Sequence, residues 1–118
     1  MIDAQAILAR IDGMDTEASM RLFADSATLT FGNGQPMVGR DAIKAGTAVF
    51  YSSIAGLHHR ILNEWTVGQD TIAEAAVTYT RHDGRQVTIP AASIWRVRED
   101  GLITDYRVFI DLAPVYAA

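Results

Sequence analysis

The apolar residues of this chain change their spacing once for good, near Leu57, and that change constrains the fold more than any single motif. Before it, helical spacing dominates. Ile7, Leu8 and Ile11 recur at that period with Asp3 placed as an N-cap, which predicts a first helix ending at Gly13. Asp15 or Thr16 can cap a second short helix carrying Met20, Phe23 and Ala24 on one stripe. A strand interrupts the helices where Ala27-Thr28-Leu29-Thr30-Phe31 alternates, and Gly32-Asn33-Gly34-Gln35-Pro36 breaks it. Asp41 is placed to cap a third helix with Ile43, Thr47, Phe50 and Ile54 on one face, and Gly56 is its natural stop.

After Leu57 the period is two, and the pattern predicts four strands over residues 58–67, 71–81, 85–97 and 102–111. Gly68-Gln69-Asp70 separates the first pair, while Asp83-Gly84 and Asp100-Gly101 are hairpin signals. The order α-α-β-α-β-β-β-β contains no βαβ alternation, and no Gly-rich phosphate loop precedes a helix. The class is α+β with a mostly antiparallel sheet, in one domain over residues 1–118, and no cofactor is expected.

Composition removes further alternatives. There are no cysteines, hence no disulfide, thiol nucleophile or cysteine-bound metal. A net charge of −4 and a pI near 5.2 argue against nucleic acid and anionic membranes as partners. Ser26 to Gly39, an uncharged run of 14 residues, is too short to cross a bilayer and contains Gly and Pro. Asp3, Arg10 and Asp12 interrupt the N-terminus before a signal-like apolar run develops. The expectation is a soluble, cytoplasmic domain.

The residues from Leu22 to Thr28, running from helix into strand, carry a family resemblance. So do Val38-Gly39-Arg40-Asp41-Ala42-Ile43 at the third helix and Gly101-Leu102-Ile103 at the last strand. In this order and spacing the chain resembles the NTF2-like superfamily, and within it the SnoaL-like and ketosteroid-isomerase-like proteins. The resemblance spans essentially the whole chain. It implies a cone, in which a curved sheet wraps about three N-terminal helices around a deep, mostly apolar pocket. The superfamily includes steroid isomerases, polyketide cyclases, epoxide hydrolases, scytalone dehydratases and members with no chemistry, so the site must decide function.

Carried over residue by residue, the resemblance brings no known machinery. The steroid isomerase base falls on Phe31, its oxyanion tyrosine at about Ile7, and its protonated acid near Ser93. The epoxide hydrolase acids fall on Val108 and around Ala75 or Ala76. Glu74 is the one carboxylate kept in view as a cyclase-like acid. The resemblance places Glu74, Ala76, Thr78 and Thr80 inward, whereas the hydrophobic pattern favours Ala75, Val77 and Tyr79; a one-residue shift exchanges the two sets.

What remains is a histidine. Period-two geometry puts His59, Ile61, Asn63 and Trp65 on one face, which the family register turns toward the pocket. His59 is then the candidate general base, with Tyr51, Ser93 or Tyr106 donating to developing oxygen charge. The competing reading is a partly buried histidine bonded to backbone or tyrosine. His58 and His59 point to opposite faces and cannot share a metal ion; His82 sits at a turn, and no metal is expected. The pocket expected from these faces comprises Ile7, Phe31, Tyr51, His59, Asn63, Ser93, Trp95, Tyr106 and Val108, suited to a small hydrophobic molecule. Arg107 and Asp111 point away from it and are read as pairing residues, and Asp25 as a helix-end or turn residue.

Two functions stand side by side. One is a binder of a small apolar molecule, with proton-transfer chemistry of isomerase, cyclase or dehydratase type if it is an enzyme. The other is a non-catalytic association module. Its surface would be the outer sheet face, expected to carry Val77, Tyr79 and Phe109 and to build a homodimer back to back.

Overall fold

Two aspartates start the first two helices by accepting from free N–H groups. Asp3 Oδ1 accepts from Ala6 N at 2.9 Å and Asp15 Oδ1 from Ala18 N at 3.1 Å. The computed structural model of the chain describes residues 3–118. It runs through α1 (Ala4–Asp12), α2 (Thr16–Met20), β1 (Phe23–Phe31), a short β2 (Met37–Val38) and α3 (Arg40–Ser52). Then follow β3 (Gly56–Val67), β4 (Asp70–Thr80), β5 (Gln86–Val97), β6 (Ile103–Ile110) and a single turn, α4 (Ala113–Tyr116).

The α+β order is as the sequence reading has it, and the differences are local. Phe23 and Ala24 belong to β1, because α2 ends at Met20 and Leu22 O already accepts from Ile103 N at 2.8 Å. Asp41 lies in the first turn of α3 rather than at its cap. Gly39 holds the cap with φ 92°, a conformation that favours glycine, and its N–H bonds Ala27 O at 2.7 Å. Gly56 opens β3 instead of closing the helix. β2 and α4 are too short to leave a periodic signal.

The strands form one curved six-stranded sheet in the order β2-β1-β6-β5-β4-β3. Only β1 and β6 run parallel; β3 to β6 form the expected antiparallel meander. Gly84 and Gly101 turn two of its corners with φ 87° and 85°, each following an aspartate that accepts from a backbone N–H two residues on.

The hydrophobic pattern, not the family register, decides how β4 faces. Ala73, Ala75, Val77 and Tyr79 point inward and are buried, with Val77 fully so. Val77 and Tyr79 are therefore absent from the outer face, where Phe109 alone of the three expected residues lies, 54% exposed. The inner face carries two hydrophobic clusters. One gathers α1, β1 and β6 around Leu8, Phe23, Ile43, Trp95 and Tyr106. The other gathers α3, β3, β4 and α4 around Tyr51, Ile54, Val77, Tyr79 and Val115. Ile11 packs against both, so α1 bridges the seam.

A second difference comes from β3. Ile61 stands opposite Ala75 and Asn63 opposite Glu74, so Leu62 is an extra residue in the ladder. Such a bulge turns every later side chain to the other face. Asn63 and Trp65 consequently lie outside, where Asn63 Nδ2 donates to Glu74 Oε1 at 2.6 Å and Trp65 is 51% exposed. Among the described residues no helix is long and apolar enough to cross a membrane.

The facing of β4 has a direct test in urea denaturation. Val77→Thr buries a hydroxyl and costs about 1–3 kcal/mol, whereas Thr78→Val, on the outer face, stays within about 0.5 kcal/mol.

Candidate functional site

Small inward residues leave space where the two clusters meet. Ala91 and Ser93 on β5 stand between the larger Tyr79 and Tyr106 on neighbouring strands, and a cavity of about 230 Å³ opens over them. Its floor is the sheet, from Leu29 and Phe31 on β1 to Leu57 and His59 on β3. Its roof comes from Ile11, Ser19 and Met20, from Thr47, Phe50 and Tyr51 on α3, and from Leu112 after β6. Apart from hydroxyls and one imidazole, the walls are apolar, and among the described residues no lysine, arginine or carboxylate lines them. Aromatic edges supply much of the surface: Phe50 lies 5.0 Å from Phe31 and 6.1 Å from both Tyr51 and Tyr79, ring centre to ring centre.

Phe31, Tyr51, His59, Ser93, Tyr106 and Val108 all line this cavity. Three residues expected there do not. Ile7 is buried within the first cluster. Trp95 stands directly opposite Tyr106 on the neighbouring strand and stacks on it, with rings 9° from parallel and 5.5 Å apart, so it supports the wall without forming it. Asn63 is on the outer face for the reason given above, and Glu74 with it. Asn63 is therefore not a pocket residue, and Glu74 is not a pocket acid.

The residue that sequence reasoning missed is Asp12. It is the last residue of α1, where a negative charge opposes the helix dipole. Its carboxylate is instead engaged with β3. Oδ1 lies 2.5 Å from His59 Nδ1, and Oδ2 accepts the backbone N–H of His59 at 2.9 Å. Both side chains are largely buried, at 14% and 11% exposure. A carboxylate only accepts, so the pairing calls for the proton on Nδ1 and leaves the lone pair on Nε2. The misplaced acid at a helix end was the available signal, since local rules broken without local gain mark sites. His58 lies on the other face of β3, exposed, with Nδ1 3.7 Å from Asp12 Oδ2.

Three tyrosines, Tyr51, Tyr79 and Tyr106, line the same space, and Ser19 and Ser93 are the buried serines of its lining. Tyr51 Oη lies 2.9 Å from Ser19 Oγ. Burial pushes the Tyr51 phenol above its ordinary range, while the Ser19 hydrogen bond works the other way. Tyr106 is raised further, again chiefly by burial, with the nearby Ser93 hydroxyl working the other way. Both phenols therefore stay protonated, as donors, far above neutral pH. Among the described residues no group of three or more His, Cys, Asp or Glu is placed to hold a metal ion.

The remaining candidates are structural. Arg107 pairs with Asp105 at 3.1 Å, and Asp111 accepts from Ala113 N at the start of α4. Asp25 is on β1 and binds Arg40 at 2.9 Å, tying α3 to the strand. His82 Nε2 lies 2.8 Å from Ser52 O.

Comparison with known proteins agrees with this architecture. The family model described as a SnoaL-like domain matches residues 4–106. No curated protein matches the sequence. A hypothetical protein with a ketosteroid isomerase-like fold from Catenulispora acidiphila DSM 44928, in complex with trimethylamine, superposes with a TM-score of 0.82 at 24% identity, over 92% of this chain and 85% of that one. A putative SnoaL-like polyketide cyclase from Jannaschia sp. CCS1 gives 0.79 at 17% identity, over 94% and 84%. TerC co-crystallized with polyporic acid also gives 0.79 at 17%, over 95% and 91%. At these identities the likeness is one of fold.

The buried phenols predict an alkaline limit. Their folded pKa values lie above the unfolded value near 10, so the unfolded chain binds fewer protons in that window. Stability is full below about pH 10 and falls as pH rises beyond it. Urea denaturation between pH 8 and 11 reads that slope, and Tyr106→Phe makes it shallower while Tyr51 and Tyr79 keep the rest.

Proposed function

This chain belongs to the SnoaL-like domain family, and from that premise we propose that it holds a small apolar carbonyl compound in the cone and moves a proton on it with His59 as base. The observation that carries the reading is His59 on the wall of a largely apolar cavity, with Asp12 hydrogen-bonded to its Nδ1 from outside the lining. Asp12 orients the ring and stabilises the imidazolium that forms when Nε2 takes a proton. Loss of a proton beside a carbonyl moves the bonding pair onto the oxygen. Tyr106 or Tyr51 then donates a hydrogen bond to the developing charge. The imidazolium returns a solvent-exchanged proton to the same carbon, or its proton to the conjugated one or to a departing hydroxyl as water. Those returns correspond to exchange, isomerisation and dehydration, and none needs a cofactor.

Two of the similar structures were obtained with small molecules, one in complex with trimethylamine and one co-crystallized with polyporic acid. That supports a binding cavity here and does not extend to the identity of the ligand. The absence of charged groups from the lining favours a neutral molecule over a carboxylate or phosphate.

Proton abstraction is testable before the net reaction is known. Incubated in D2O with 2-cyclohexen-1-one or cyclohexanone, the protein should speed exchange of the protons beside the carbonyl, followed by NMR. His59→Phe should lower that rate by about 10²–10⁴-fold, and Asp12→Asn should lower it while leaving binding in place. Exchange that is unaffected by His59→Phe would sink the assignment.

A second reading rests on the outer face. Trp65, Ile72 and Ile94 form one row across β3, β4 and β5, and Phe109 lies opposite Ala92 in the next. Two exposed aromatics, Trp65 and Phe109, with half-buried Ile72 and Ile94 between them, favour a homodimer built through the sheets. Sedimentation should then give twice the chain mass for the native protein and the single chain mass for Phe109→Asp. A monomeric native protein would remove this reading.

A further inference from the structure

A glycine in the middle of a regular helix is among the least favourable choices for that helix. Gly46 is the seventh residue of the thirteen in α3. Its surroundings supply the reason. A methyl group at Gly46 would overlap the Sδ of Met37 and lie 3.4 Å from its Cε and 3.9 Å from its Cγ. The thioether of Met37 thus sits in the notch that the missing side chain leaves. Both residues line the cavity.

Met37 is also mounted on a weak support. β2 consists of two residues and is held to β1 by two register pairs, Leu29 with Met37 and Thr28 with Val38. The connection carries glycines at both ends, Gly32 with φ 56° and Gly39 with φ 92°. Met37 packs on the first cluster while remaining only partly buried. An unbranched, polarizable side chain at such a place adapts to its neighbours readily.

We propose that Met37, seated against Gly46, sets the upper size of the molecule that the cavity accepts. This rests on the reading of the cavity as a binding site for a neutral apolar compound. With the notch open, the thioether is drawn toward α3 and the cavity keeps its length. With the notch filled, the thioether moves into the cavity and shortens it. Removing Cγ, Sδ and Cε has the opposite effect and joins their volume to the site.

The test uses 4-alkylcyclohexanones of increasing chain length, from methyl to pentyl, titrated calorimetrically into the intact protein. Each methylene accommodated in an apolar wall tightens Kd about fourfold, so affinity should climb with length and then stop at a limit. Met37→Ala should move that limit about two to three carbons longer, and Gly46→Ala should bring it shorter. Circular dichroism and thermal unfolding report whether Gly46→Ala keeps its fold; Met37→Ala carries the test alone if it does not. Binding of the series by the native protein, with the limit unmoved in Met37→Ala, would overturn the proposal and leave the binding site intact. No binding of any member by the native protein would overturn the binding reading, and the size limit with it.

Discussion

The facing of β4 is the constraint on which the rest of this molecule depends. It sits between β3 and β5, so its alternation sets which residues of three strands look toward the helices. Ala73, Ala75, Val77 and Tyr79 turn inward, and their opposites on β5, Ser93, Ala91, Ile89 and Val87, turn inward with them. Small residues therefore lie at the centre of the concave face and larger ones around them. Helices resting on the larger side chains cannot descend onto the alanines and serine. A sheet of uniformly large inward residues would have filled that space with core. Here it persists as the cavity between two clusters, each packed well enough to hold its own part of the wall.

Onto this frame α1 adds a largely buried carboxylate paired with a histidine of the cavity wall. Ile11 packs against both clusters, and the next residue, Asp12, reaches across to β3. A carboxylate at that end of a helix is disfavoured by the dipole, by a few tenths to about 1 kcal/mol. Two hydrogen bonds to a charged acceptor, at about 1.5–3 kcal/mol each, outweigh that cost. The same bonds orient the His59 ring. Stability and orientation come from one contact, which is why a residue unfavourable for its helix is tolerated there. Tyr51 repeats the device, its phenol held by the Ser19 hydroxyl 2.9 Å away in a place dry enough to raise its pKa.

Local signals made much of this legible in the sequence. Caps at Asp3 and Asp15, the turns at Gly84 and Gly101 and the alternation of β4 to β6 depend on residues close together in the chain. His59, Tyr51, Ser93 and Tyr106 could be assigned to one wall because regular strands preserve their phase. Asn63 and Trp65 could not, because the extra residue at Leu62 is a property of the pairing with β4. Trp95 is inward as its phase requires, but whether it faces the cavity or backs another side chain depends on Tyr106, eleven residues later in the chain and directly opposite in space.

The sequence by itself determined the class, the order of elements, the meander and the apolar character of the concave face, since each follows from periods and turns read within a few residues. Family membership, too, is written in segments that stay in order along the chain. Only the tertiary structure decided which acid serves His59, because Asp12 and His59 are 47 residues apart and meet only when α1 lies across β3. It alone decided that Gly46 is a notch for Met37, and that the concave face holds a cavity instead of a filled core. Those outcomes depend on side-chain volumes from several elements meeting in one place, and no periodicity along a single strand or helix records that meeting.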